Sequence, residues 1–289
     1  MRTLRLIPAI IALSATSAAA QPASNQTPTP LLPPPISANA LLPRPIPKAN
    51  LAEWNAALGR KPVSLAVDGV ILRGFDYSPK AANAPTVLFF GANGWDVDDA
   101  DQHLRQIAAR GARVVAYDYR GYGFSEGKPD LRTFRADALK LYDNLTKDQG
   151  TPAVAVFGFS MGSALAAYVA SQRKVEGVVL VAPIAHAREF FVDYARAHTP
   201  QIDPNKLITT PDADDVFGEA DLIAQSTAPL LVVHGEADDI VPYNEGKEVF
   251  AASPSAQKTF VSLPGEKHNG AVDNETALAA FGTFFATLR

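Results

Sequence analysis

Cysteine is absent from all 289 residues, which removes disulfides, thiolate metal sites, iron–sulfur clusters and any cysteine nucleophile from consideration. Stability must therefore come from packing. Positive charge is also the scarcer sign: 26 Lys and Arg against 30 Asp and Glu give a formal net charge of −4. That balance argues against nucleic acid or an anionic membrane as the main partner. The leader lacks the length to cross a bilayer. Its apolar stretch, Leu6 to Leu13, is well short of the ~20 residues a spanning helix needs. Arg2 and Arg5 precede that stretch and Ala18-Ala19-Ala20 follow it, the order of a cleaved export signal, so residues 1–20 are expected to be removed. The mature chain is then periplasmic or secreted, without a transmembrane segment.

What is present is enough for one large domain. Hydrophobic residues make up 47% of the chain, which suits a single α/β domain with a substantial core. Between the leader and that domain, proline recurs, as in Thr27-Pro28-Thr29-Pro30 and Leu31-Leu32-Pro33-Pro34-Pro35. Such a run cannot feed a helix or sheet with hydrogen bonds and stays extended, so residues 21–50 read as a linker. The domain proper is assigned to residues 51–289.

Two extended runs, Val63 to Val67 and Val70 to Tyr77, flank Asp68-Gly69, a turn signal between strands. Beyond them, apolar strands expected at Thr86 to Phe90, Ala112 to Tyr117, Ala153 to Phe157, Gly177 to Val181, Leu230 to His234 and Thr259 to Leu263 alternate with helical segments. Continuous apolar strands separated by amphipathic helices predict a mostly parallel sheet covered on both faces. Ligand sites of such sheets lie beyond the carboxyl ends of the strands. Residues 184–229 interrupt the rhythm and are expected to form a short helical insertion over the site.

Gly158-Phe159-Ser160-Met161-Gly162 stands where the run Ala153 to Phe157 turns into a helix. This is the pattern of a nucleophile elbow, a turn so tight that the residues two before and two after the serine must be small. A serine hydroxyl needs a base to take its proton and a third group to orient that base. Of five histidines, His268 fits best, on a loop after the last strand. His234 ends an apolar strand, where a structural hydrogen bond explains it, and His103 and His198 read as helix-surface residues. In the turn after Leu230 to His234, Asp238 is preferred as the orienting acid over Asp239 and Glu236. The oxyanion donors are expected to be backbone N–H groups, one from Met161 and one from Ala92 in the loop Gly91 to Trp95. Trp95 is a candidate substrate wall. Phe190, Phe191 and Tyr194 in the insertion suit acyl contact or core packing equally. Asp96, Asp98, Asp99 and Asp101 are read as charges at a helix amino end rather than a metal site, and no cofactor is implied.

With these residues in place the chain resembles the α/β-hydrolase superfamily over roughly Val63 to Arg289, in particular the group of monoacylglycerol lipases, serine aminopeptidases and acyl-protein thioesterases. The order Ser160, Asp238, His268 and the segment Tyr117-Asp118-Tyr119-Arg120-Gly121-Tyr122-Gly123-Phe124-Ser125 carry the resemblance, Asp118 and Arg120 being structural in that loop. Such enzymes commonly begin the oxyanion loop with His-Gly, the histidine supporting loop shape; this chain has Phe90-Gly91. The resemblance implies an exported serine hydrolase acting on a small-molecule ester or thioester through an acyl-enzyme. A serine peptidase or amidase, or a non-catalytic binding protein on the same fold, are the alternatives.

Overall fold

A computed structural model describes residues 35–37, 39, 42, 51–55, 59–78, 84–148, 154–198, 203 and 206–288. The proposed export signal lies outside them. A short helix α1 (Leu51–Asn55) precedes the hairpin of β1 (Lys61–Val67) and β2 (Val70–Tyr77), whose ladder closes on Val67 and Val70 across the expected two-residue turn. Then follow β3 (Thr86–Phe90), α2 (Asp101–Ala109), β4 (Arg113–Tyr117), α3 (Leu131–Asp143), β5 (Val154–Phe159), α4 (Met161–Gln172) and β6 (Val178–Val181). The insertion contributes α5 (Ala187–His198), α6 (Pro211–Phe217) and α7 (Glu219–Ile223), and the chain continues with β7 (Leu230–Gly235), α8 (Tyr243–Ala252), β8 (Lys258–Leu263) and α9 (Glu275–Phe285).

The eight strands form one sheet in the order β1-β2-β4-β3-β5-β6-β7-β8. Among them β2 alone runs against its neighbours; from β4 through β8 every pairing is parallel. Strand alternation divides the core in two. Leu88, Phe90, Val154 and Val156 point to a face packed with residues of α3 to α8, while Val87, Phe89, Ala155 and Phe157 point to a face covered by α2 and α9. Burial on both sides is why these strands read as unbroken apolar runs rather than alternating ones. The chain leaves β3 in one direction to form β4 and returns on the other side to form β5, so the carboxyl ends of β3 and β5 flank a topological switch point, where open α/β sheets place their ligands.

The described part of the proline-rich stretch lies against the domain. Ile36 is buried and exchanges backbone hydrogen bonds with Ile208 (2.8 Å) and Thr210 (2.9 Å). Asn39 donates to the Asp130 carboxylate (2.7 Å) and accepts from the Leu131 amide (2.9 Å), at the start of α3. No helix of the described residues is long and apolar enough to cross a membrane.

Candidate active site

The elbow between β5 and α4 has the geometry its sequence implies. Ser160 has φ 54° and ψ −123°, a conformation that costs a non-glycine residue roughly 1–3 kcal/mol and persists only where surrounding structure holds it. The flanking glycines explain how. A Cβ on Gly158 would stand 2.4 Å from Ser163 Cα, and one on Gly162 would stand 2.1 Å from Phe90 O. Both distances are impossible for real side chains, so α4 can begin this close to β3 and β5 only with glycine at both places.

Three side chains distant in sequence meet beyond the strand ends. His268, on the loop after β8, has Nε2 2.9 Å from Ser160 Oγ and Nδ1 2.8 Å from Asp238 Oδ2. Asp238, in the turn after β7, accepts the amides of Ile240 (2.9 Å) and Val241 (2.8 Å) on its other oxygen. Burial alone would raise its pKa, but hydrogen bonds from His234 and His268 outweigh it and hold the carboxyl well below the usual carboxylate range. A carboxylate only accepts, so Nδ1 of His268 carries the proton and Nε2 is free to accept from Ser160. Ser160 is 8% exposed and His268 1%, which places the cluster in a water-poor setting.

His234 is fully buried, as a strand end predicts, with Nε2 3.0 Å from Val241 O and 3.4 Å from Asp238 Oδ2. It props the acid without reaching Ser160. Asp239 pairs with Lys267 at the surface and Glu236 accepts from Ser262, so neither competes for His268.

The carbonyl end of β3 brings the second loop alongside. Among the described residues neither the Ala92 nor the Met161 N–H is taken up by a protein acceptor. Tyr119 Oη donates to Gly91 O at 2.8 Å. Asp118 accepts the amides of Val97 (2.7 Å) and Phe124 (2.8 Å), and Arg120 makes a buried two-pronged bond to Asp137 (2.6 and 2.8 Å), so both tie loops together. Trp95 is half-buried, stacked on His103 (4.9 Å) and 5.2 Å from the ring of Phe159, which lies 5.2 Å from that of His268. His103 is thus more than a helix-surface residue: its ring backs Trp95. Phe190, Phe191 and Tyr194 are buried in the core with Met161 and Ile184; of the two roles the sequence left open for them, packing is the one this placement supplies. Asp96 caps the amides of Asp98 and Asp99, while Asp98 and Asp101 pair with Arg60. Among the described residues no group of three or more His, Cys, Asp and Glu side chains is arranged to hold a metal ion.

Residues 82–205 match the family described as serine aminopeptidase, S33. A Mycobacterium tuberculosis protein, Rv2307c, is 31% identical over 229 residues, which span 78% of this chain and 76% of that one. The esterase Pf2001 of Pyrococcus furiosus shares the fold with a TM-score of 0.62 at 16% identity, over 86% of this chain and 97% of its own. The chain belongs to the α/β-hydrolase superfamily. The same hydrolase domain relates it to the lysophosphatidylserine lipase ABHD12 of Rattus norvegicus, 27% identical over 189 residues, 61% of this chain and 47% of that protein. The α/β-hydrolase chain thus spans about half the length of that relative.

Two side chains near the elbow were not visible to sequence reasoning. Ser163, one turn into α4, contacts Ser160 O, and fully buried Glu219 at the start of α7 contacts Ser163 Oγ (2.9 Å) and accepts the Ile184 amide (3.0 Å). Neither belongs to a recognisable spacing, because Glu219 reaches Ser163 and the Ile184 amide only once the chain has folded.

Proposed function

We propose that this α/β hydrolase is an exported serine hydrolase that cleaves a carboxylic ester or thioester of a small molecule through an acyl-enzyme. The observation that carries the reading is the continuous hydrogen-bonded chain Ser160, His268, Asp238, at 2.9 and 2.8 Å. In the first step Ser160 Oγ attacks the carbonyl carbon while Nε2 of His268 takes its proton. The new O⁻ is received by the amides of Met161 and Ala92. His268 then passes the proton to the leaving alcohol or thiol, the acyl group stays on Ser160, and water activated by the same imidazole releases the acid. Asp238 keeps the tautomer that this sequence needs and stabilises the imidazolium.

Substrate contact is assigned to Trp95, beside the oxyanion loop, whereas Phe190, Phe191 and Tyr194 support the pocket from within the core. The export signal at residues 1–20 belongs to the same proposal and is tested by amino-terminal sequencing of the protein from its native host, with Gln21 expected first. Ester cleavage is tested with p-nitrophenyl esters of increasing chain length: the wild type turns over at least one of them, and Ser160→Ala lowers kcat by on the order of 10⁶. A variant as fast as wild type would refute the assignment.

The match to the S33 aminopeptidase family favours amide cleavage as a second reading. It requires an acid facing a substrate amino group. Of the insertion's carboxylates, Glu219 is taken up by Ser163 and the Ile184 amide, Asp193, Asp203 and Asp215 pair with Arg196, Lys206 and Arg135, and Glu189 and Asp221 are exposed, which is why the ester is preferred. Turnover of an aminoacyl p-nitroanilide faster than of any ester would reverse that preference.

A further inference from the structure

An oxyanion donor is only as well aimed as the peptide plane that bears it. In a trans peptide unit the C=O of one residue and the N–H of the next are coplanar and antiparallel, and no cis bond occurs among the described residues. Holding the carbonyl oxygen of Ser160 therefore aims the N–H of Met161. Holding that of Gly91 aims the N–H of Ala92.

Each of these oxygens meets a buried hydroxyl. Ser160 O lies 2.5 Å from Ser163 Oγ and also accepts the Ser163 amide at 2.8 Å. Gly91 O accepts from Tyr119 Oη at 2.8 Å. The tyrosine ring cannot swing away, since it is stacked on Phe134 at 4.7 Å and met edge-on by Tyr122 at 6.1 Å. Burial pushes its phenol well above the usual tyrosine range, so the hydroxyl keeps its proton.

Ser163 Oγ lies within donating distance of two acceptors, Ser160 O at 2.5 Å and Glu219 Oε1 at 2.9 Å. Burial raises the Glu219 carboxyl well above the carboxylate range. Glu219 is in turn fixed to the exit of β6, accepting the Ile184 amide at 3.0 Å while its own amide donates to Ile184 O at 3.3 Å.

We infer that Tyr119 and Ser163 are positioning residues that aim the two oxyanion donors, each by holding the carbonyl end of the peptide unit whose N–H meets the reacting oxygen, with Glu219 bracing Ser163. The inference rests on the serine-hydrolase reading and deepens it.

Tyr119→Phe and Ser163→Ala each delete one hydroxyl and leave shape nearly unchanged. Losing an oxyanion donor outright costs about 10²–10³ in kcat, so loosening one should cost about tenfold. With p-nitrophenyl acetate, kcat is expected to fall about tenfold in each variant while KM stays within about twofold, the mark of an interaction made in the transition state. Affinity for a trifluoromethyl ketone, which forms an oxyanion on the serine, should fall by the same factor. Wild-type kcat and ketone affinity in these variants would overturn the inference, as would a loss confined to Tm or folded yield. Ser160→Ala distinguishes the two levels of failure. If it keeps the wild-type rate, the hydrolase reading itself falls; if it is inactive while Tyr119→Phe and Ser163→Ala are as fast as wild type, only the positioning roles fall.

Discussion

At the scale of single residues, the proposed chemistry depends on which nitrogen of His268 carries the proton. Asp238 decides this by accepting from Nδ1 at 2.8 Å while two amides occupy its other oxygen. Asp238→Asn presents a group that can donate where only an acceptor serves, so kcat should fall by roughly 10³–10⁴ with little change in KM, measured on the best p-nitrophenyl ester. A fall of less than about tenfold would contradict the role given to the acid. The residues legible in the sequence were those whose neighbours along the chain betray them. Ser160 was marked by its two glycines, Asp238 by its turn after an apolar strand, and His268 by its loop. Tyr119, Ser163 and Glu219 were not, because the contacts of Tyr119 with Gly91 and of Glu219 with Ser163 join residues far apart in the chain and leave no spacing to read. The stacking of His103 on Trp95 is hidden for a similar reason: helix periodicity gives no hint that Trp95 folds back over it.

At the scale of elements, two contacts govern how the site is assembled. The first is the approach of α4 to the end of β3. Gly162→Ala would drive a methyl against Phe90 O and Gly91 O, forcing the helix away from the strand at a cost of roughly 3 kcal/mol; an unchanged urea midpoint would show that the elbow relaxes freely. The second is the staple between α8 and the start of the insertion, where Glu245 accepts the amides of Ala185 (2.7 Å) and His186 (3.3 Å). Burial pushes the Glu245 carboxyl up to about 7 from 4.5. In the unfolded chain this acid ionises near its ordinary value, so between about pH 4.5 and 7 the folded state binds the extra proton and its stability falls as pH rises. Above about 7 the penalty levels off, at a few kcal/mol. Glu245→Gln keeps the acceptor and removes the titration, so its Tm should exceed that of wild type at pH 8 and converge with it near pH 4. Parallel Tm curves across that range would contradict the assignment. The elements themselves were largely legible, since strands buried on both faces must be apolar throughout. The insertion was legible only as a break in rhythm: α7 packs against α4 and α8, and α5 against α6, through contacts that no periodicity encodes.

At the scale of the whole molecule, the sequence announced a mostly parallel sheet with an antiparallel hairpin but not the order of its strands, which depends on crossovers that local patterns do not record. The placement of Ile36 against Ile208 and Thr210 was equally hidden, because proline-rich composition reads as a linker whether or not part of it docks. Ile36→Ala should destabilise the domain by about 2 kcal/mol, seen as a Tm lower by roughly 5 °C; no change in Tm would mean that this segment contributes nothing to the fold. The reading as a whole stands on the convergence of β5, β7 and β8 to bring one hydroxyl, one carboxylate and one imidazole together. Peptide mapping of the protein after reaction with a fluorophosphonate tests that convergence most directly. A single adduct on Ser160, formed at least about 10³-fold more slowly when His268 is replaced by alanine, is the predicted result; an unmodified protein, or an adduct on another side chain, would contradict it.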